Sequence, residues 1–274
     1  MREVAFPGLN LKFTIDRVAI NIGEVEIYWY AIMIVFAFTI AILFLKRDDK
    51  KYGITFEQIL ELAVIMIPIA IICARLYYVI FEFEDYKQNI LEIMNFRNGG
   101  LAIYGGIIGA VITIIIYCKV KKMNVLDVLD YIVPYLALGQ GIGRWGNFIN
   151  VEAYGIQTDN IFRMGIIENG KYIEVHPTFL YESICNIIIF GILYCIRNKR
   201  KYKGELTYIY LTLYSFVRAI IEGIRTDSLM IGTFRVSQIL SIILCMVFCS
   251  VLVRKEIKRV NDNKKNKKQY RIEK

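Results

Sequence analysis

Seven stretches of the chain are apolar almost without interruption, and its charged residues gather between them. They lie near 28–45, 56–81, 101–120, 125–141, 178–196, 206–223 and 236–253. Runs of about 17–25 mainly apolar residues are long enough to cross a bilayer as helices. The second is long and is interrupted by Pro68 and Arg75. The pattern therefore predicts an all-α integral membrane protein with seven transmembrane helices. The longest stretch outside them, 150–177, is expected to join residues 1–26 in a small extracytoplasmic cap. A single catalytic membrane domain over 1–253 and a basic tail over 254–274 complete the expected organisation.

Orientation follows from Lys and Arg, which favour the cytoplasmic ends of spans. Basic groups follow spans one (Lys46, Arg47, Lys50, Lys51), three (Lys119, Lys121, Lys122) and five (Arg197, Lys199, Arg200, Lys201, Lys203). The tail after span seven adds ten more. The N-terminus is thus expected outside and the C-terminus in the cytoplasm. Segments 143–177 and 224–235 fall at the outer face.

Composition agrees. Of 274 residues, 56% are hydrophobic and 14% aromatic, and the mean hydropathy is +0.45. A soluble domain sits nearer 45–50% apolar, and disorder is excluded by so much surface to bury. The net charge of +9 is concentrated in the tail, where it reads as a solvated cytoplasmic segment rather than a nucleic-acid partner. Residues 1–26 lack a signal-peptide pattern. Cys73, Cys118, Cys185, Cys195, Cys245 and Cys249 lie in apolar runs as small hydrophobes. With His176 the sole histidine, neither a metal site nor a cofactor is expected.

Ionisable residues inside spans are costly, so they pair, face the interior or serve a function. In span six, Tyr214, Arg218, Glu222 and Arg225 share the spacing of one helix face. They form either a structural ion pair or a cationic wall for an anionic ligand. Glu57, Glu61 and Arg75 of span two are expected to be structural. Span three opens on Asn98-Gly99-Gly100 and continues through Tyr104-Gly105-Gly106. Tyr104 is either part of an aromatic belt or a headgroup ligand.

The densest signal is GQGIGRWGNFINVEAYG over 139–155. It contains GxGxxG, but with no strand before it the dinucleotide reading fails on context. Flexible glycines next to a span can present N–H groups to an anion, and Arg144 adds a fork suited to phosphate. Asn147, Asn150 and Glu152 bring polar groups to headgroup depth.

Gly143-Arg144-Trp145-Gly146-Asn147-Phe148-Ile149-Asn150-x-Glu152-x-x-Gly155 resembles the signature of bacterial prolipoprotein diacylglyceryl transferases. Trp29-Tyr30, Gly99-Gly100-x3-Tyr104-Gly105-Gly106, His176-Pro177-x2-Leu180-Tyr181-Glu182 and Tyr214-x3-Arg218-x3-Glu222-x2-Arg225 agree in order. The resemblance implies transfer of the diacylglyceryl group of phosphatidylglycerol to the lipobox cysteine of preprolipoprotein signal peptides, with glycerol phosphate leaving. It implies a multi-pass protein of the bacterial cytoplasmic membrane, working among membrane lipids near the outer leaflet. The implied catalytic residues are Tyr30, Arg144, Asn147, Tyr214, Arg218 and Glu222. Tyr104, Glu152, Gly155 and Arg225 join Arg144 in binding substrate. Some members have His at the position of Tyr104. A phenol with a reference pKa near 10 is a poor base, so Glu152, Glu222 or the lipid phosphate are the candidate proton acceptors. A seven-span transporter or channel would need a polar path to the other face, and a scaffold would need its ion pairs only for packing.

Overall fold

A computed structural model describes residues 2–23, 25–87, 89–95 and 99–272. Asn98 of the span-three motif lies outside them, as do Glu273 and Lys274 and the side chains of 264–272. The long helices are α1 (Trp29–Arg47), α2 (Phe56–Phe81), α4 (Ile103–Val120), α5 (Val125–Asn150), α6 (Thr178–Ile196), α7 (Glu205–Glu222) and α8 (Val236–Ile272), with α3 (Phe83–Tyr86) a single turn. Six of them, α7 being the exception, are long and apolar enough to cross a membrane. This is the build of a multi-pass integral membrane protein. The outer faces of α1 stay apolar, with Ile34, Val35, Phe36 and Leu43 exposed, as a lipid surrounding demands. In α7, Glu205, Arg218 and Glu222 interrupt the apolar run.

The expectation of an all-α chain gives way to a mostly helical one. Strands β1 (Arg2–Phe6), β2 (Leu11–Ile15), β5 (Met164–Glu168) and β6 (Lys171–Val175) form a sheet in the order β2-β1-β5-β6. All its neighbours are antiparallel. Hairpins β3 (Val18–Ile22) with β4 (Val25–Tyr28) and β7 (Met230–Ile231) with β8 (Phe234–Arg235) accompany it. The sheet's inner face buries Val4, Phe6, Met164, Ile166 and Val175 against Phe179 at the head of α6. Such alternation of buried and outward residues is the strand pattern.

The chain divides into two compact units, Leu45–Tyr131 and the remainder, Met1–Phe44 with Ile132–Lys274. In Leu45–Tyr131, a Thr55–Gln58 capping box starts α2. Small residues then let α4 approach closely. A Cβ on Gly105 would stand 2.4 Å from the Cys73 carbonyl oxygen, and one on Gly109 2.7 Å from Cys73 Cβ. Glu61 pairs with Lys121 at 2.8 Å and accepts a hydrogen bond from Tyr117.

Arg75 is buried and makes five hydrogen bonds to backbone carbonyls: Ile93, Gly99, Gly100, Glu92 and Asn95, at 2.7–3.1 Å. The ring of Tyr86 lies 5.1 Å beneath its guanidinium. The guanidinium thus organises the segment that leads into Tyr104. Gly99 and Gly100 have φ of +80° and +70°, values that favour glycine.

In the other unit, α7 packs on α6 and α8. Trp145 donates to Ser183 Oγ at 3.2 Å, Ser183 donates to the Gly141 carbonyl at 2.8 Å, and Phe148 stacks on Phe179 at 4.7 Å. These contacts lock the last turns of α5 to α6.

Candidate active site

The glycine-rich segment is helical, contrary to the flexible anion-binding loop expected from its composition. Helix α5 runs to Asn150, nine residues past the expected end of span four, and its interior N–H groups are spent on helical hydrogen bonds. Backbone at membrane depth must satisfy itself, and helix does that even with glycine. The glycines instead permit close approach. A Cβ on Gly141 would stand 3.1 Å from Ile187, and one on Gly146 2.5 Å from the ring of Tyr30. Arg144 and Asn147 project from the same turns.

Immediately after α5 the chain turns sharply, with φ of +50° at Val151 and +56° at Ala153. A branched residue in the left-handed region is strained and held only by its surroundings. Here the turn carries Glu152 back to α5, where its Oε1 accepts from Asn147 at 2.7 Å and Asn150 at 3.4 Å. Arg144 donates to Asn147 Oδ1 at 3.3 Å.

The centre of the cluster is Glu182, buried one turn into α6. Its Oε2 forms an ion pair with Arg144. Its Oε1 meets Arg218 at 2.9 Å and Arg225 at 3.3 Å. Arg218 also reaches the buried Glu222 at 2.6 Å, the pair that the one-turn spacing suggests. Sequence reasoning placed Glu182 in a motif without giving it a role. Its place in an otherwise apolar span marks it as paired or functional, but its partners meet only in three dimensions.

Arg225 does not continue the helical face expected for it. Helix α7 ends at Glu222, and Arg225 follows in a turn bridged to Gly155. The Gly155 N–H donates to the His176 carbonyl at 2.9 Å, and the Ile156 N–H to the Ile224 carbonyl at 2.8 Å. Gly155 thus serves as a tight packing point, since its Cβ would stand 2.8 Å from His176 Cβ. Asp227 grips Arg225 with two bonds of 2.9 and 2.6 Å. Burial pushes the Asp227 carboxyl up, but the Arg225 hydrogen bonds and charge outweigh it and hold the group below its ordinary range. Arg235 donates to the carbonyls of Glu222 and Gly223.

Tyr30, Arg144, Asn147, Glu152, Gly155, Arg218, Glu222 and Arg225 are joined by these contacts. Tyr214 lies one turn before Arg218 and stacks on Tyr210 with centroids 5.6 Å apart. Tyr104 stands in the first turn of α4, in the other unit. The side chains of Arg144 and Arg218 are about a fifth exposed, 21% and 18%, whereas the carboxylates between them are buried. Chemically, this is a cationic surface fixed by carboxylates and an amide, since Glu182 and Asn147 hold the Arg144 guanidinium and Glu182 and Glu222 that of Arg218.

Residues 17–254 match the family model described as prolipoprotein diacylglyceryl transferase. A phosphatidylglycerol–prolipoprotein diacylglyceryl transferase of Finegoldia magna is 46% identical over 245 residues, 88% of this chain and 97% of its own length. The proteins of the same name from Clostridioides difficile and from Listeria monocytogenes serotype 4a are 45% and 44% identical. They cover 83% and 89% of this chain, and 90% and 91% of their own lengths.

Proposed function

The chain belongs to the prolipoprotein diacylglyceryl transferase family, and from that premise we propose how its guanidinium cluster serves the reaction. The enzyme transfers the diacylglyceryl group of phosphatidylglycerol to prolipoproteins, the first step of lipoprotein maturation. The acceptor is the lipobox cysteine thiol of the preprolipoprotein signal peptide. Its sulfur bonds to the glyceryl carbon that carries the phosphate. The carbon–oxygen bond breaks, the electron pair stays on oxygen, and glycerol phosphate departs.

Charge therefore grows on the phosphate as the bond breaks. Arg144 and Arg218, fixed by Glu182 and partly exposed, stabilise that charge without reorganising. Their joint attachment to one buried carboxylate is the observation that carries this reading. Asn147 orients Arg144, and Tyr30 and Tyr214 shape the walls for the glyceryl and acyl portions. Glu222 fixes Arg218. Arg225 and Gly155 complete the substrate surface, and the family resemblance assigns Tyr104 to headgroup binding. The thiolate is the nucleophile, so a proton must leave. Glu152 is the favoured acceptor. It is exposed, both asparagine amides hold its Oε1, and Oε2 is left to take the proton.

In this reading α7 is a seventh span, and its charges are tolerable because Arg218 is paired with Glu182 and Glu222. The basic groups after alternate spans favour an N-terminus outside and a C-terminus in the cytoplasm. The site then faces the outer leaflet of the bacterial cell membrane, where both lipid and signal peptide enter sideways. Residues 1–253 act as one catalytic membrane domain and 254–274 as a cytoplasmic tail.

The test is an assay with purified protein, phosphatidylglycerol labelled in its headgroup glycerol, and a lipobox peptide. Glycerol phosphate is expected to be released with the cysteine peptide and not with its serine counterpart. Absence of release from folded protein would overturn the reading.

A further inference from the structure

The charges of the cluster can be assigned one by one. The guanidiniums of Arg144, Arg218, Arg225 and Arg235 gather at the ends of α5 and α7, and the carboxylates are those of Glu182, Glu222 and Asp227. Four positive groups against three negative ones leave a single positive charge. Further out, Glu152 on Asn147 and Arg2 on the Asn150 carbonyl offset each other. Glu182 differs from the other two acids. Asp227 belongs to Arg225 and Glu222 to Arg218, but Glu182 touches three guanidiniums at once and is the carboxylate of the cluster that reaches Arg144.

A phosphodiester carries one negative charge. A phosphomonoester carries about −1.5 to −2 at pH 7, because its second pKa is near 6. Resting on the reading above, we infer that Glu182 sets the charge of the site to match the phosphodiester of the donor lipid, so that the phosphomonoester product is not retained. Without that carboxylate, the guanidiniums would carry two uncompensated charges and would match the leaving dianion instead. Burial strengthens the effect, since the Glu182 side chain is only 3% exposed and Coulomb terms are poorly screened there. Glu182 is thus a positioning residue that also governs product release. Its two oxygens meet Arg144, Arg218 and Arg225, and it acts through them.

The discriminating variant is Glu182→Gln, which keeps shape and one acceptor oxygen while removing the charge. In the peptide-dependent assay, its inhibition constant for glycerol phosphate should fall about tenfold relative to the wild type. The KM for phosphatidylglycerol should change less, and kcat should drop as release becomes limiting. The wild-type-to-variant gap in inhibition should narrow below pH 6, where the product becomes a monoanion. A purely structural role would lower activity with the inhibition constant unchanged or raised, and that result would overturn the proposal. If the variant does not fold, the wild type still decides. Glycerophosphoglycerol, a soluble phosphodiester, should inhibit at least as well as glycerol phosphate despite its smaller charge, and the reverse order would refute the charge matching. Wild-type protein that releases no glycerol phosphate would instead remove the functional reading beneath it.

Discussion

The ring of Tyr30 lies against the backbone of Gly146, so near that a Cβ there would stand 2.5 Å from Tyr30 Cδ2. Gly146→Ala must therefore displace the ring, although alanine is the better helix former. Activity in the lipid-transfer assay is expected to fall about tenfold, with little change in thermal stability. The double variant Gly146→Ala/Tyr30→Ala should be no worse than Tyr30→Ala alone, because both act through one contact. Additive losses would disprove the coupling.

The forks of Arg144 and Arg218 give a sharper expectation than their charge alone. Arg144→Lys and Arg218→Lys keep the cation but lose the paired donors. Each should reduce kcat by about 10²–10³, while the protein still inserts and purifies as a folded species. Tyr104→Phe should cost less than either, since no phenol is needed as the base. A Tyr104→Phe variant as inactive as Arg144→Lys would reverse that assignment.

Arg75 offers a test of stability without chemistry. Lysine has three donors in place of the five that now meet carbonyls, so Arg75→Lys leaves buried acceptors unmatched. A loss of about 2–4 kcal/mol is expected from thermal or denaturant unfolding in detergent. Gly100→Ala should be damaging as well, because its Cβ would stand 2.2 Å from Arg75 Nη1 at a φ of +70°.

Acid should loosen the turn that carries Arg225. The folded-state pKa of Asp227 is depressed, so its stabilising contribution is fully present above the ordinary carboxylate value near 4. It is lost as the pH falls through the lower folded-state value. Melting temperature measured from pH 6 to pH 3 should therefore decline at the acid end in the wild type. The decline should be shallower in Asp227→Asn.

Membrane sidedness can be read with a thiol reagent that does not cross the bilayer. In a background lacking the native cysteines, Asn169→Cys should label in intact cells, and Lys199→Cys only after permeabilisation. The opposite pattern would invert the proposed orientation.

The helical spans were legible because each is a long apolar run, and 56–81 and 178–196 coincide with α2 and α6. The end of α5 was not. Glycine and asparagine in GRWGNFIN signal a loop in water, but the α5–α6 contacts through Gly141, Trp145 and Ser183 keep the segment helical. The Arg218–Glu222 pair could be read from a spacing of four. The part played by Glu182 could not, since its three partners come from two other helices and a turn and meet only in three dimensions. Arg225 illustrates the same limit, because helical spacing stops meaning anything once the helix has ended.

The pairing of β1 with β5 joins Val4 to Ile166, about 160 residues apart. At roughly 5–20 residues per second, translation needs on the order of 10–30 s to cover that distance. Strand β1 must therefore stay open-edged on that side while four long helices, α1, α2, α4 and α5, are being made or inserted. A nascent chain arrested before residue 168 would display that edge, together with Val4 and Phe6, to whatever chaperone or neighbouring strand it met. Strand β1 is in this sense made early and paired late.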